Sequence, residues 1–338
     1  MLAWHLANPN SLPQNIPSKM QNRILPVFAN RVDTLYDLLY PFEKKIQIYC
    51  KGSVCLRSSI KYLFLSLAAL ALLLAGITGV LFYQAKDSIP VLNYHQINDK
   101  DKNALTVESD QFDAQIKYLS ENGYHAITPQ EMIDAWKNGT ALPDKPVIIT
   151  FDDGYADNYK NAYPILKKYQ QKAVIFVVSD YVNVYPNYLT WDNIAEMQEN
   201  DLIDFESHTL SHVNLLEDVA SEEEARKQLT DSRKALEYHL KKPVRFIAYP
   251  CGAYDGNLIQ LTEDCGYLGG FTVNYGLASK ESNPYTLDRV PIFGGNTHTL
   301  LRFKLRLTLA PVLAPLDHIK TSLKDAGYPR LSSFIPIP

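Results

Sequence analysis

From Tyr62 to Tyr83 the chain reads YLFLSLAALALLLAGITGVLFY, 22 residues without a charge. As a helix rising about 1.5 Å per residue, the run reaches about 33 Å, enough to cross a hydrocarbon core about 30 Å thick. Tyr62 and Tyr83 bracket it as aromatic-belt residues; Lys44, Lys45, Lys51, Arg57 and Lys61 precede it, and only Lys86 lies just after it. The positive-inside rule then predicts residues 1–61 in the cytoplasm, a transmembrane signal-anchor helix over 62–83 and everything after a short linker, 84–88, on the outside. A cleaved signal peptide is the alternative, but the apolar run exceeds a usual h-region and no small-x-small site follows.

Residues 1–61 show no readable motif, and Met20 is a second candidate start. Cys50 and Cys55 fall on the reducing side of this topology, and Cys251 and Cys265 on the side where a disulfide is permitted. The formal net charge of -4, with no long Lys/Arg block, gives nucleic acid no electrostatic attraction. The 22 tyrosines offer flat apolar faces with polar tips, which suit carbohydrate surfaces as well as ordinary cores.

Beyond the anchor, short β-rich runs alternate with helical segments. IPVLNYH, PVIITFDD, AVIFVVS, LIDFESH, RFIAYP, LGGFTV and LDRVPIFG read as strands. Between them lie helices that Ser109 should cap, that Pro129 and Gly139 should start and stop, and that a Ser221/Glu224 capping box should open. Further helices are expected over 158–169 and 191–199 and within NLIQLTEDCG. Such β-then-α order implies parallel strands with helical crossovers, in an α/β barrel or an open doubly wound sheet. A basic-apolar helix over about 299–310 is expected either to pack on the domain or to lie at a membrane surface.

Polar residues fall at the C-terminal ends of four of these strands: His95, Asp152 with Asp153, His208, and YPCG after RFIA. In barrels and open sheets alike, that rim collects active sites. His208 and His212 in ESHTLSH are spaced to share a metal ion, although two histidines four apart are more often surface residues. The adjacent carboxylates of FDDGY could divide the labour, one on a metal and one accepting a proton. Alternatively they end the strand in an Asx-turn.

TFDDGY, SHTLSH and RFIAYPCGAYD, in that order, resemble the motifs of the polysaccharide deacetylases with a NodB-homology domain, carbohydrate esterase family four. The resemblance covers roughly residues 89–294 and implies a distorted (β/α) barrel that hydrolyses N-acetyl groups on an amino-sugar polymer. It implies Asp152 as general base, and Asp153, His208 and His212 as ligands of Zn2+ or another divalent ion such as Co2+ or Ni2+. The N–H of Cys251 becomes the oxyanion donor, while Tyr155, Tyr249, Pro250 and Gly252 border the substrate, with Asn158 and Tyr159 on the rim. Trp191 reads as a packing residue rather than a sugar platform.

Two departures matter. No clear copy of the usual closing L-x-H motif is present, and PVLNYHQI resembles instead the circularly permuted members that act on poly-N-acetylglucosamine exopolysaccharide. His95 is therefore the expected acid and His298 the second choice. Ala248 stands where many members carry an arginine that tethers the base, which leaves Arg289 for that task, a surface arginine on an edge strand being the other reading. The expected substrate is a poly-β-1,6-N-acetylglucosamine-type polymer; peptidoglycan or a chitin-like chain is the alternative, and a non-catalytic cell-wall carbohydrate-binding protein the reading from another class. Residues 295–338 form a terminal helix and tail, and the sequence names no protein partner.

Overall fold

A computed structural model of the chain describes residues 54–295, 299–335 and 337; His298 lies outside them. Contacts divide the chain into two units, 1–76 and 77–338, with the border inside the first helix. That helix, α1 (Val54–Gln84), starts before the expected span. Its stretch Tyr62–Gln84 is long and apolar enough to cross a membrane, and its side chains are not buried.

The second unit is built on parallel strands. β1 (Val91–Tyr94) leads to the short pair β2 (Gln96–Ile97) and β3 (Thr106–Val107), then α2 (Ser109–Glu121), β4 (His125–Ala126), α3 (Pro129–Asn138) and β5 (Pro146–Phe151). A single π-helical turn over Asn158–Ala162 runs into α4 (Tyr163–Tyr169). Next come β6 (Ala173–Val177), α5 (Trp191–Gln198), β7 (Ile203–Ser207), α6 (Glu222–Leu240), β8 (Phe246–Ala248), α7 (Gly256–Asp264), β9 (Gly269–Tyr275) and β10 (Leu287–Pro291). The chain finishes in α8 (Leu300–Thr308), α9 (Ala310–Asp325) and α10 (Pro329–Ser332).

β1 pairs with both β5 and β10, so the strands β1, β10, β9, β8, β7, β6 and β5 close a seven-stranded parallel barrel, with β4 added outside β5. Closure, rather than an open sheet, is what the β–α alternation alone left undecided. Period-two alternation assigns the apolar side chains to two sets. Val91, Ile148, Val174, Phe176, Phe246, Ala248, Phe271 and Leu287 form one, joined by Met132 and Ile133 of α3. Their neighbours Leu92, Ile149, Ile175, Phe205 and Ile247 pack in the other with helix residues such as Phe112, Ile116, Leu166, Ile194, Leu229 and Leu261. Both faces of these strands are thus covered, which is why they read as near-continuous apolar runs.

Several helix ends follow the sequence, and others correct it. Thr128 and Glu131 form a reciprocal capping box on α3, and Gly139 ends it in the left-handed conformation. Ser109 is not the cap of α2; it is the first helical residue, and Asp99 accepts its N–H at 2.8 Å. Ser221 caps α6, but Glu224 returns to the N–H of Ala220 rather than to that of Ser221. α8 packs on the domain: Phe303 and Leu307 are buried with the larger apolar set, and the Tyr275 hydroxyl donates to the Arg306 carbonyl at 2.6 Å.

Candidate active site

Register brings the polar strand ends to one rim. Tyr94 lies opposite Phe151, so His95 and Asp152 both leave the barrel there, and the Asp152 N–H donates to the Tyr94 carbonyl at 2.9 Å. Val177 lies opposite Ser207, and Ser207 opposite Ile247, which carries His208 and the Tyr249–Gly252 turn to the same rim.

The two aspartates part company at the strand end. Asp153 and Gly154 both take left-handed backbone, at φ 73° and 75°, a region open to glycine and tolerated by aspartate. This turn sends adjacent carboxylates to different partners. Asp152, only 1% exposed, receives both arms of the Arg289 guanidinium, Nη1 to Oδ1 at 2.8 Å and Nη2 to Oδ2 at 2.7 Å. Arg289 is itself fully buried and also donates from Nε to the Thr272 carbonyl at 2.6 Å and from Nη1 to the Thr150 hydroxyl at 3.3 Å. An isolated charge in that place would cost several kcal/mol; the forked pair satisfies both ions. Burial pushes the Asp152 carboxyl up, but the Arg289 charge, with His208, outweighs it and holds the group below the usual carboxylate range.

His95 places Nε2 at 4.0 Å from Asp152 Oδ2. Asn158 donates to the His95 carbonyl at 2.8 Å from the π-helical turn that follows the aspartates. Asn158 is therefore not a rim residue: it is 1% exposed and fixes the backbone of His95. Burial lowers the His95 pKa, against the pull of Asp152 and Asp153.

Asp153 turns to the other side. Its Oδ1 lies 3.2 Å from Nε2 of His208 and 3.2 Å from Nε2 of His212. Burial opposes its ionisation, yet the two imidazoles outweigh that and hold the carboxyl far below its ordinary range. His208 and His212 sit on a turn rather than a helix, with Thr209 and His212 at φ 66° and 57°. His208 Nδ1 faces the Ala248 carbonyl at 2.8 Å, which places the proton on that nitrogen and leaves Nε2 a lone-pair donor. The candidate ligand atoms of Asp153, His208 and His212 all lie within 4.8 Å of one another. The buried Asp153 Oδ1 makes no hydrogen bond of acceptable geometry, as expected of a donor set directed at a cation. The residues fit a divalent metal with three protein ligands.

Residues 139–270 match the sequence profile of the polysaccharide deacetylase family. The YxkH protein of Bacillus subtilis (strain 168) is 35% identical over 207 residues, covering 61% of this chain and 72% of that protein. The poly-β-1,6-N-acetyl-D-glucosamine N-deacetylase of Staphylococcus aureus (strain MRSA252) is 31% identical over 232 residues, covering 61% and 79%. The chain belongs to the polysaccharide deacetylase family. Such enzymes hydrolyse N-acetyl amide bonds of polysaccharides. The deacetylase also superimposes on the Streptococcus pyogenes deacetylase PplD in complex with acetate, at a TM-score of 0.57 and 32% identity over 61% of this chain and 92% of that one. IcaB from Ammonifex degensii gives a TM-score of 0.59 at 26% identity, over 67% and 98%. The seven-stranded parallel barrel is thus of the NodB type.

Other expected residues of the deacetylase fall unevenly. Tyr155 stands at the rim, its ring stacked on Tyr188 at 4.9 Å, and burial together with Asp153 pushes its phenol well up. Cys251 is an exposed thiol in a left-handed turn at φ 58°. Tyr249 and Pro250 correct the sequence reading, because both are buried; the Tyr249 ring lies in the core with its hydroxyl near Thr262, so it offers no substrate contact. Tyr159 bonds Glu196 of α5 at 2.5 Å. Trp191 stacks on His239 at 3.7 Å, a packing role.

Sequence reasoning missed Thr150, Thr272, Gln228 and Ser232. Gln228 on α6 accepts the Ser211 N–H at 3.1 Å and donates to the Ser211 hydroxyl at 2.9 Å, while Ser232 bonds Ser207 at 2.9 Å. Their spacing of four on one helix face is the only local signal they carry.

Proposed function

We propose that the deacetylase is a metal-dependent N-deacetylase of an N-acetylglucosamine-containing surface polysaccharide of the poly-β-1,6-N-acetylglucosamine type, releasing acetate. The observation that carries the proposal is the divergence of Asp152 and Asp153, one held by Arg289 and the other facing two imidazoles. The relative of known substrate name among those matched, the Staphylococcus aureus enzyme, supports that polymer class.

Zn2+, Co2+ or Ni2+ held by Asp153, His208 and His212 would supply Lewis acidity to the amide carbonyl and lower the pKa of an attacking water. Asp152 is then the general base. It stays ionised because Arg289 is fixed on it, and it accepts the proton of the water as the water oxygen attacks the carbonyl carbon. The N–H of Cys251 donates to the developing oxyanion. His95 gives a proton to the amine nitrogen as the C–N bond breaks, so that acetate and a free amino sugar leave. Tyr155 and Gly252 border the sugar.

In this proposal the part of α1 over 62–83 is a single-pass anchor, residues 1–61 are cytoplasmic, 84–88 link the anchor to a catalytic domain over 89–294 outside the membrane, and 295–338 are its terminal helices and tail. The apolar length of Tyr62–Gln84 supports the anchor, and the excess of Lys and Arg before it supports the orientation.

The deciding experiment measures acetate released by the full chain, in detergent, from defined β-1,6- and β-1,4-linked N-acetylglucosamine oligosaccharides, with and without chelator. Faster chelator-sensitive release from the β-1,6 series is expected. Preference for the β-1,4 series moves the substrate to a chitin-like or peptidoglycan chain, and no release from either overturns the reading.

A further inference from the structure

Three tyrosines beside the aspartates have no part in the chemistry above. They lie in SDYVNVYPNYLTW, the connection between β6 and α5. This loop is stitched to the turn that carries Asp152 and Asp153. Tyr155 and Tyr188 form an antiparallel bridge, the Ala156 N–H donates to the Asn187 carbonyl at 2.8 Å, and the Leu189 N–H donates to the Gly154 carbonyl at 2.9 Å. A third tie runs to the metal-binding loop, where the Tyr181 hydroxyl donates to the Ser211 carbonyl at 3.2 Å, one residue before His212.

The rings continue that framework outward. Tyr155 stacks on Tyr188, with centroids 4.9 Å apart and planes at 26°. Tyr188 meets Tyr181 edge-on at 4.8 Å, and Tyr181 meets Tyr185 edge-on at 5.1 Å. The row starts next to Asp153 and ends in solvent, where Tyr185 is 51% and Val184 63% exposed. One stacked step and two edge-to-face steps hold the rings in fixed orientations. A loop tip that met only water would gain nothing from a valine and a tyrosine exposed side by side, and exposed apolar groups gathered at the edge of a site mark a binding surface.

The geometry points to a sugar-binding subsite on this loop: Tyr181, Tyr185 and Tyr188 form a wall that takes the pyranose ring next to the residue being deacetylated. One face of a pyranose is a patch of C–H groups that lies on an aromatic ring, and its edge hydroxyls match phenol oxygens, so the wall suits a polymer rather than a single sugar. This inference rests on the polysaccharide reading above and adds which residues feel the length of the substrate. Contacts to a remote unit of the chain are where binding energy comes from that a monosaccharide cannot supply.

The test compares kcat/KM for acetate release by the full chain on the β-1,6-linked pentamer and on single N-acetylglucosamine. Tyr185→Ala should reduce the advantage of the pentamer over the monomer by about tenfold, the scale of one good aromatic contact, through KM rather than kcat. Tyr185→Phe should restore it, because the ring and not the hydroxyl does the stacking. Calorimetric binding of the fully deacetylated pentamer should weaken in parallel in Tyr185→Ala. An unchanged ratio in Tyr185→Ala, or an equal loss on monomer and pentamer, overturns the subsite while the deacetylase reading stands. A wild-type chain that releases no acetate from either substrate overturns both.

Discussion

Arg289 grips Asp152 through two parallel bonds of 2.8 and 2.7 Å although 137 residues separate them in sequence. Both are buried, and every arm of the guanidinium is engaged by Asp152, Thr150 or Thr272. Asp152→Asn keeps the shape and removes the charge, so acetate release should fall by about two to four orders of magnitude while bound metal is retained. Arg289→Lys cannot fork onto the carboxylate and should cost activity too, whereas Arg289→Met removes the cation and should also lose about 3–5 kcal/mol of stability, because the buried carboxylate is left unpaired. Wild-type turnover in Asp152→Asn would show that the base is another group.

His95 Nε2 lies 4.0 Å from the Asp152 Oδ2 that Arg289 also binds, with the His95 backbone carbonyl held by Asn158. His95→Ala should lower kcat by about 10²-fold and leave metal content unchanged. Near-full turnover of that variant would move the acid elsewhere. Asn158→Ala should lower kcat less, since it frees the His95 backbone without removing the imidazole.

Metal retention separates the two aspartates. His208→Ala and Asp153→Ala should lose bound metal by elemental analysis of the purified chain, because each removes one of three converging donors. Chelator should abolish release in the wild type and a divalent ion should restore it. Stoichiometric metal in His208→Ala would rule out this donor set.

Glu131 provides a pH signature away from the site. Burial raises its pKa, but the 2.6 Å ion pair with Lys172 and the 2.7 Å bond from the Thr128 N–H outweigh that, and the net shift is downward. A folded-state pKa below the unfolded value means stabilisation that is present above the unfolded pKa and lost as pH falls through the folded one. Glu131→Gln should therefore lower the unfolding free energy measured by urea titration at pH 7 by a few tenths to about 1 kcal/mol given how exposed the pair is, with the difference shrinking below about pH 4. An equal difference at pH 7 and pH 3 would mean that packing and not charge is responsible.

The sequence by itself determined the seven barrel strands and the helices between them, because apolar runs, caps and β-branched strands are local signals; it missed the two-residue strands β2, β3 and β4 and the last helices α9 and α10. It also placed Asp152, Asp153, His95 and His208 at strand ends, since the strand boundaries are legible in PVIITFDD, IPVLNYH and LIDFESH. Tertiary structure decided what no local pattern carries. Closure of β1 onto both β5 and β10 made a barrel of strands that could have formed an open sheet, and only that closure brings Arg289 across to Asp152. The left-handed turn at Asp153 and Gly154 gave two identical neighbours different partners. Burial reversed the reading of Tyr249, because a strand-end residue faces either the rim or the core according to register, and register is settled by pairing with strands far away in the chain; it reversed that of Asn158 because the π-helical turn brings its side chain to the His95 carbonyl, 63 positions away in sequence. The tyrosine wall belongs to the same class: its residues are spread through an irregular loop, and only the backbone ties to Gly154, Tyr155 and Ala156 make them neighbours of the active site.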